Sequence, residues 1–336
     1  MFNLLPYNEK PLSVMYHYIA FPLGIVQAKM DEKVFEFWLA TKYINCSFSK
    51  KLDMNMFNIG EDLWFTEERI LLRHHNAISR IIYDNYQMDV VTLLKKVIDM
   101  GYYPQGNYNE EWIPLKTAYK KYRFYHDYLL VGYDESSQVF YSVGFLSDNR
   151  FQKYEISFDN MRKAIETLFD NNVSFDFLEY HSKKVKSWKF DINVVVEQLN
   201  AYIASLPQDG KKQESEMSYG LNAIFDLSQY IEDCAQKYSY IELKYTRGLA
   251  DHKFFMYKRI QFLYKNKYIS DPLFCQNSKM IYQMAEKVHL LAMKFSIKQD
   301  IKIIISIKNL IDEMIKLERD YLVDVIKSIY HNLKKI

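Results

Sequence analysis

His126 stands at the head of an apolar run, Phe124-Tyr125-His126-Asp127-Tyr128-Leu129-Leu130-Val131-Gly132-Tyr133-Asp134. A histidine so placed can act as a general base, because a strand holds the imidazole and its neighbours select the tautomer. Glu110, Glu111 and Asp127 are the carboxylates expected to orient it or to hold a cationic acceptor. Upstream, Pro11-Leu12-Ser13-Val14-Met15-Tyr16-His17 offers Ser13 as the one hydroxyl nucleophile, with Tyr16 and His17 beside it as substrate contacts. Tyr125, with Tyr122, Phe124 and Tyr128, suits the wall of an apolar ligand cleft. Two plainer readings stand next to these. Serine is a preferred helix N-cap, and a lone histidine at a strand start also serves as a structural group.

Other clusters point to less. Glu67 and Glu68 stand two helical turns before His74 and His75, but adjacent histidines face different sides of a helix, so no metal site is expected. Tyr102-Tyr103-Pro104-Gln105-Gly106 is a turn without phosphate-loop spacing, and no dinucleotide or kinase signature occurs; no cofactor is expected. Cys46, Cys234 and Cys275 are odd in number and lack a C-x-x-C pair, which argues against a disulfide framework or zinc and suits a reducing cytoplasm. Cys46 reads as a small buried hydrophobe. The basic and aromatic stretch from Lys116 to Tyr128 could stack on bases. With a net charge of only +2 there is no global field to draw in nucleic acid or an acidic membrane, and it reads as a surface strip.

These residues need elements to position them. At 336 residues, 49% apolar and 26% charged, the chain is long enough for a sizeable globular core. The longest nearly apolar run, Val14 to Val26, is too short to span a membrane, and the N-terminus lacks a signal-peptide pattern; a soluble protein is expected. Residues 11 to about 45 read as two helical pieces divided near Gly24 to Met30. Leu63-Trp64-Phe65 and Ile78 to Tyr83 are strand-like, with a short helix from Glu67 to His75 between them. Met88 to Met100 is a helix closed by Gly101.

Tyr125 to Gly132, Gln138 to Gly144 and Phe151 to Phe158 form three strands of an antiparallel meander, followed by a helix capped by Ser157 or Asp159. Residues 206–217 are polar and aperiodic, a linker. Beyond them apolar faces recur at helical spacing: Leu221, Ile224, Phe225, Leu227, Ile231 and Cys234; then Ile281, Ala285, Val288 and Ala292; then Met314, Leu317, Tyr321, Val325 and Tyr330. Asp251, His252, Lys253, Lys258 and Arg259 read as a solvated face or as a dock for an acidic partner. The expected fold is α+β: residues 1–205 with an antiparallel sheet, the linker, and a helical bundle over 218–336 that packs on the first domain.

The stretch Glu110-Glu111-Trp112-Ile113-Pro114, the run 126–145, Ile156-Ser157-Phe158 and the tail segments Tyr219-Gly220 and 251–260 carry a resemblance. The chain resembles the papain-like proteins of the bacteriocin-processing peptidase-like group, of the butirosin biosynthesis protein H type. The resemblance is loose over most of the chain, and residues 110–160 are its specific part. It implies a papain-like cysteine-peptidase-type domain and a role in natural-product biosynthesis. The implied reaction is acyl or peptidyl transfer from a carrier-protein thioester, beside a nonribosomal peptide synthetase, to a small amine or peptide. On this reading His126 is the base for the incoming amine or for Ser13. Two departures count against a cysteine enzyme. No thiol lies between Leu12 and Tyr16, and Ser142-Val143-Gly144 stands where a carboxylate would follow Phe140-Tyr141. The alternative is therefore a fold that has lost catalysis and serves as a binding or scaffold protein. A homodimer is compatible with either.

Overall fold

The computed structural model describes residues 1–50, 56–59, 72–79, 89–168, 174–207, 214–238 and 240–334. The chain divides into two compact units, one of Met1–Asp31 with Leu63–Trp188, the other of Glu32–Asp62 with Lys189–Ile336. Both belong to a mixed α+β protein with antiparallel sheets and a helical C-terminal region.

The first unit is built on an antiparallel sheet. Its strands are β1 (Phe2–Leu4), β4 (Leu72–Ser79), β5 (Tyr103–Asn109), β6 (Tyr125–Asp134), β7 (Val139–Phe145), β8 (Phe151–Ser157) and β9 (Ser174–Tyr180). They lie in the order β4-β9-β5-β6-β7-β8, with β1 added to β6. The meander expected from the sequence is present as β6-β7-β8, in a register that sets Leu129 opposite Val143 and Phe140 opposite Ile156. Leu129, Leu130, Val143, Phe140 and Ile156 are buried. In β6 the residues from Tyr128 to Tyr133 are buried without a break, as expected where both faces of a sheet are covered, whereas β8 alternates, with Tyr154 and Ile156 buried and Glu155 exposed.

Three helices of this unit have clear local causes. In α1 (His17–Lys29) the apolar residues Ile19, Ala20, Leu23 and Val26 are buried. In α3 (Val90–Asp99) the cap is Asp89, whose side chain accepts from the Thr92 N–H, while Val90, Val91, Leu94, Val97 and Ile98 turn inward. In α4 (Phe158–Glu166) the cap is Ser157 rather than Asp159, accepting from Asn160 N. Asp159 instead pairs with Lys163 one turn on. A short helix α5 (Ser182–Ser187) ends the unit. His74 and His75 lie on strand β4, which corrects the helix expected there and with it the helical ligand spacing; residues 63–71 and 80–83 lie outside the described residues.

The second unit holds α2 (Glu32–Leu39), β2 (Cys46–Ser49), β3 (Met56–Ile59), α6 (Ile192–Ala204), β10 (Met217–Tyr219), α7 (Gly220–Tyr238), α8 (Leu243–Lys265), α9 (Leu273–Lys298) and α10 (Ile301–Leu333). The expected boundary at 205 falls elsewhere in the structure. Residues 32–62 and 189–205 belong with the helical tail. The reason is pairing: β2 lies between β10 and β3 in a small antiparallel sheet, and the buried Arg259 guanidinium donates to the carbonyls of Ala40 and Lys42. Of the expected linker, 208–213 lies outside the described residues and Met217 opens a strand.

The helical tail keeps most of its expected apolar faces, but Phe225 and Tyr330 are exposed. The final helix starts as early as Ile301, where Asp300 caps it, and Ile303, Ile307, Ile311 and Met314 carry the buried stripe. The polar run at 251–259 is not a solvated face. Asp251, His252, Lys253 and Arg259 are all buried, and of the five only Lys258 is exposed. Lys253 donates to Glu318 and, at 2.6 Å, to the Tyr202 hydroxyl, and His252 Nε2 lies 2.9 Å from the Ile44 carbonyl oxygen. That removes it as a docking surface for an acidic partner.

Candidate functional site

His126 sits in β6, level with Tyr108 of β5. Its Nδ1 lies 2.9 Å from Oε1 of Glu110, whose side chain is 7% exposed against 37% for the histidine. Glu110 opens a short 3-10 helix, Glu110–Trp112, that ends β5. Local hydrogen bonds fix that turn. Asn109 Oδ1 accepts from Glu111 N and Phe124 N, and Glu110 N donates to the Phe124 carbonyl. Because the carboxylate accepts at Nδ1, the proton sits on that nitrogen in the neutral imidazole and Nε2 carries the lone pair. This is the arrangement of a base oriented by an acid.

A second histidine stands against the first. The rings of His17 and His126 lie 4.6 Å apart between centroids. His17 is the first residue of α1, and its ring also stacks on Phe21 and Phe145. Burial holds the His17 imidazole well below the usual histidine range, with His126 and Lys116 adding to the effect, so the ring is neutral. Its Nε2 is buried and, among the described residues, has no hydrogen-bond partner.

Lys116 completes the cluster. Its buried ammonium donates to the Phe145 carbonyl and lies 3.5 Å from Glu110 Oε1. Below it the hydroxyls of Tyr108 and Tyr154 meet at 2.8 Å, and Ser142 Oγ lies 3.2 Å from Tyr154. Gly144 closes the ring in β7, with φ +157°. A Cβ at that position would meet His17 Nε2 at 3.5 Å, Lys116 Nζ at 3.7 Å and the Tyr154 hydroxyl at 3.8 Å.

The remaining expected site residues are placed as follows. Glu111 does not reach His126; it is engaged by Asn109 Nδ2 at 3.2 Å and lies 3.8 Å from Arg123. Asp127 and Tyr125, one residue either side of His126, point to the other face of β6, and Asp127 accepts from Asn107 Nδ2. Tyr125 is exposed. Tyr16 is the residue before α1 and stacks on Tyr18 with centroids 5.1 Å apart. Ser13 is buried, and its Oγ accepts from Met15 N at 3.4 Å. It is not the helix cap, since α1 begins four residues later. The structure thus gathers His126, Glu110 and His17, and adds Lys116 and Gly144.

Reading the sequence missed Lys116, which lies within the basic stretch without a distinguishing spacing. It treated Gly144 as the site of a missing carboxylate. A glycine inside a strand is itself a signal of close approach, and here three polar side-chain atoms stand within ordinary contact of the place its Cβ would take. Cys46 is buried in β2, its Sγ set 3.4 Å from the Gly220 carbonyl oxygen. Cys46, Cys234 and Cys275 all lie in the second unit. Among the described residues no group of three or more His, Cys, Asp or Glu side chains is placed to hold a metal, and no helix is long and apolar enough to cross a membrane.

No protein-family model matches the chain, and no curated protein matches it. The functional reading rests on the geometry around His126.

Proposed function

We propose that the first unit is a papain-like domain that transfers an acyl or peptidyl group from a carrier-protein thioester to an amine, in natural-product biosynthesis. One observation carries this: a half-exposed histidine at a strand end, oriented through Nδ1 by the buried carboxylate of Glu110. Nε2 of His126 would take the proton of the attacking amine as the amine adds to the thioester carbonyl, and collapse of the tetrahedral adduct would break the C–S bond, the same proton passing from His126 to the departing carrier thiolate. No enzyme thiol is then required. Proton transfer by a positioned base accelerates such steps by about 10²- to 10⁴-fold. The test is intact-mass analysis of an acylated carrier protein with candidate amines, with and without the full chain. Loss of the acyl group to the amine, absent with His126→Ala, supports the reading; no transfer by the wild-type chain overturns it.

A second reading is favoured by a different observation. The residue that faces His126 from the start of α1 is a neutral imidazole, His17, and not a thiol or hydroxyl. On that reading the domain has lost catalysis and binds a carrier protein or synthetase as a scaffold. Carrier-protein binding unchanged by His126→Ala, without acyl transfer, would favour it.

A further inference from the structure

The atoms that face Gly144 have an unusual character for a buried place. The three nearest to an added Cβ are all polar: Nε2 of His17, Nζ of Lys116 and the hydroxyl of Tyr154. His17 and Lys116 are buried, and among the described residues His17 Nε2 has no partner. Lys116 offers three N–H donors, of which the Phe145 carbonyl takes one and Glu110 lies at 3.5 Å from the same nitrogen. A buried polar atom without a partner is uncommon and calls for an occupant. An apolar guest cannot meet that need, and a metal cation is disfavoured by the ammonium.

We infer that the space over the α carbon of Gly144 is a subsite for one small anion, a halide or a carboxylate group, held by Lys116, His17 and Tyr154. The neutral His17 ring donates from Nε2–H in the matching tautomer, and Lys116 supplies the positive charge. Tyr154 is already within 2.8 Å of the Tyr108 hydroxyl, so it contributes a polar wall. The inference stands whether or not the chain transfers acyl groups.

The groups that face the subsite or flank it are His17 from α1, Glu110 and Lys116 from the turn after β5, His126 from β6, Tyr154 from β8 and Tyr108 from β5. The Lys116 ammonium is the positive charge that faces Gly144, which in this poorly solvated place attracts an anion more strongly than in water.

The test uses the full chain and two probes. Crystals soaked in bromide are examined for an anomalous peak within about 3.5 Å of both Lys116 Nζ and His17 Nε2. Formate is titrated while the His17 ring resonances are followed by NMR. The inference predicts the bromide peak and a saturable His17 shift. His17→Phe, which keeps the stacked ring and deletes Nε2, should abolish the formate response at other ring signals near the site; Gly144→Ala should occupy the space and do the same. Bromide found only at surface lysines, a water alone over Gly144, or a wild-type His17 signal indifferent to formate would overturn it. The wild-type result decides even if a variant fails to fold. A bromide peak without acyl transfer would remove only the transferase reading, and transfer without anion binding would remove only this one.

Discussion

Glu110 Oε1 stands between two cationic or protonatable nitrogens, 2.9 Å from Nδ1 of His126 and 3.5 Å from Nζ of Lys116. The buried carboxylate therefore does two things. It fixes which nitrogen of His126 carries the proton, and it balances an ammonium that the fold has taken out of water. A buried charge without a partner is expensive, so each side of this arrangement needs the other.

Replacing Glu110 by Gln keeps the size and one acceptor but removes the charge. The amide can present its NH2 group to His126, which then loses the preferred tautomer. In an acyl-transfer assay Glu110→Gln should lower the rate by up to about 10⁴-fold, the loss seen when an amide replaces the carboxylate that fixes the tautomer of a histidine base. Glu111→Gln should leave the rate unchanged, since Glu111 is turned toward Asn109 and Arg123. Steady-state rates of the two variants, side by side, check this.

Stability should fall on acidification through the histidines that burial keeps neutral. Burial lowers both His17 and His252 well below the ordinary value of 6.5. In the unfolded chain these rings take up protons as the pH drops through 6.5, while in the folded chain they do not. The unfolded state then binds more protons, and stability is lost as pH falls, by at most about 1.4 kcal/mol per pH unit for each ring. The contribution is fully present above the unfolded value. Urea unfolding of wild type and His17→Phe at pH 7.5, 6.0 and 5.0 should show a shallower acid loss in the variant.

The Lys253–Glu318 pair gives a third expectation. Both side chains are fully buried, and Tyr202 donates to Glu318 at 2.7 Å. Lys253→Ala strands the carboxylate and should destabilise the second unit by about 3–5 kcal/mol. Lys253→Met combined with Glu318→Leu removes both charges and should cost far less. Chemical denaturation of the two variants separates these outcomes; a double variant as unstable as the single one would show that the charges themselves are not the cause.

Much of the scaffold was legible from local pattern. The β6-β7-β8 meander, the helix ending before Gly101 and the Ser157 cap follow from alternation, apolar spacing and capping chemistry, all short-range signals. The domain boundary was not, because Cys46–Ser49 pairs with Met217–Tyr219 across a long stretch of sequence. Nor was the burial of the 251–259 run, since a charge at helical spacing looks solvated until its partner, here Glu318, is brought to it by the fold. At the site, His126 was evident from its strand, and Glu110 was one of three equivalent carboxylates until the turn capped by Asn109 singled it out. That His17 meets His126 depends on where α1 starts.

Gly220 tests that long-range closure. It has φ +55°, and a Cβ there would lie 2.1 Å from the Tyr202 carbonyl oxygen. Backbone in that region costs a non-glycine residue about 1–3 kcal/mol before any clash is counted. Gly220→Ala should therefore destabilise the second unit more than Gly101→Ala destabilises the first, as Gly101 has a positive φ but open space around it. Thermal unfolding of the two variants gives the comparison.

The central claim is that His126 and Glu110 act as one catalytic unit. A double-mutant cycle on acyl transfer tests it most directly, using wild type, His126→Ala, Glu110→Gln and the combination. If the carboxylate works only through the histidine, the combined variant should be no slower than His126→Ala alone. Losses that simply multiply, or a His126→Ala variant as fast as wild type, would contradict the account.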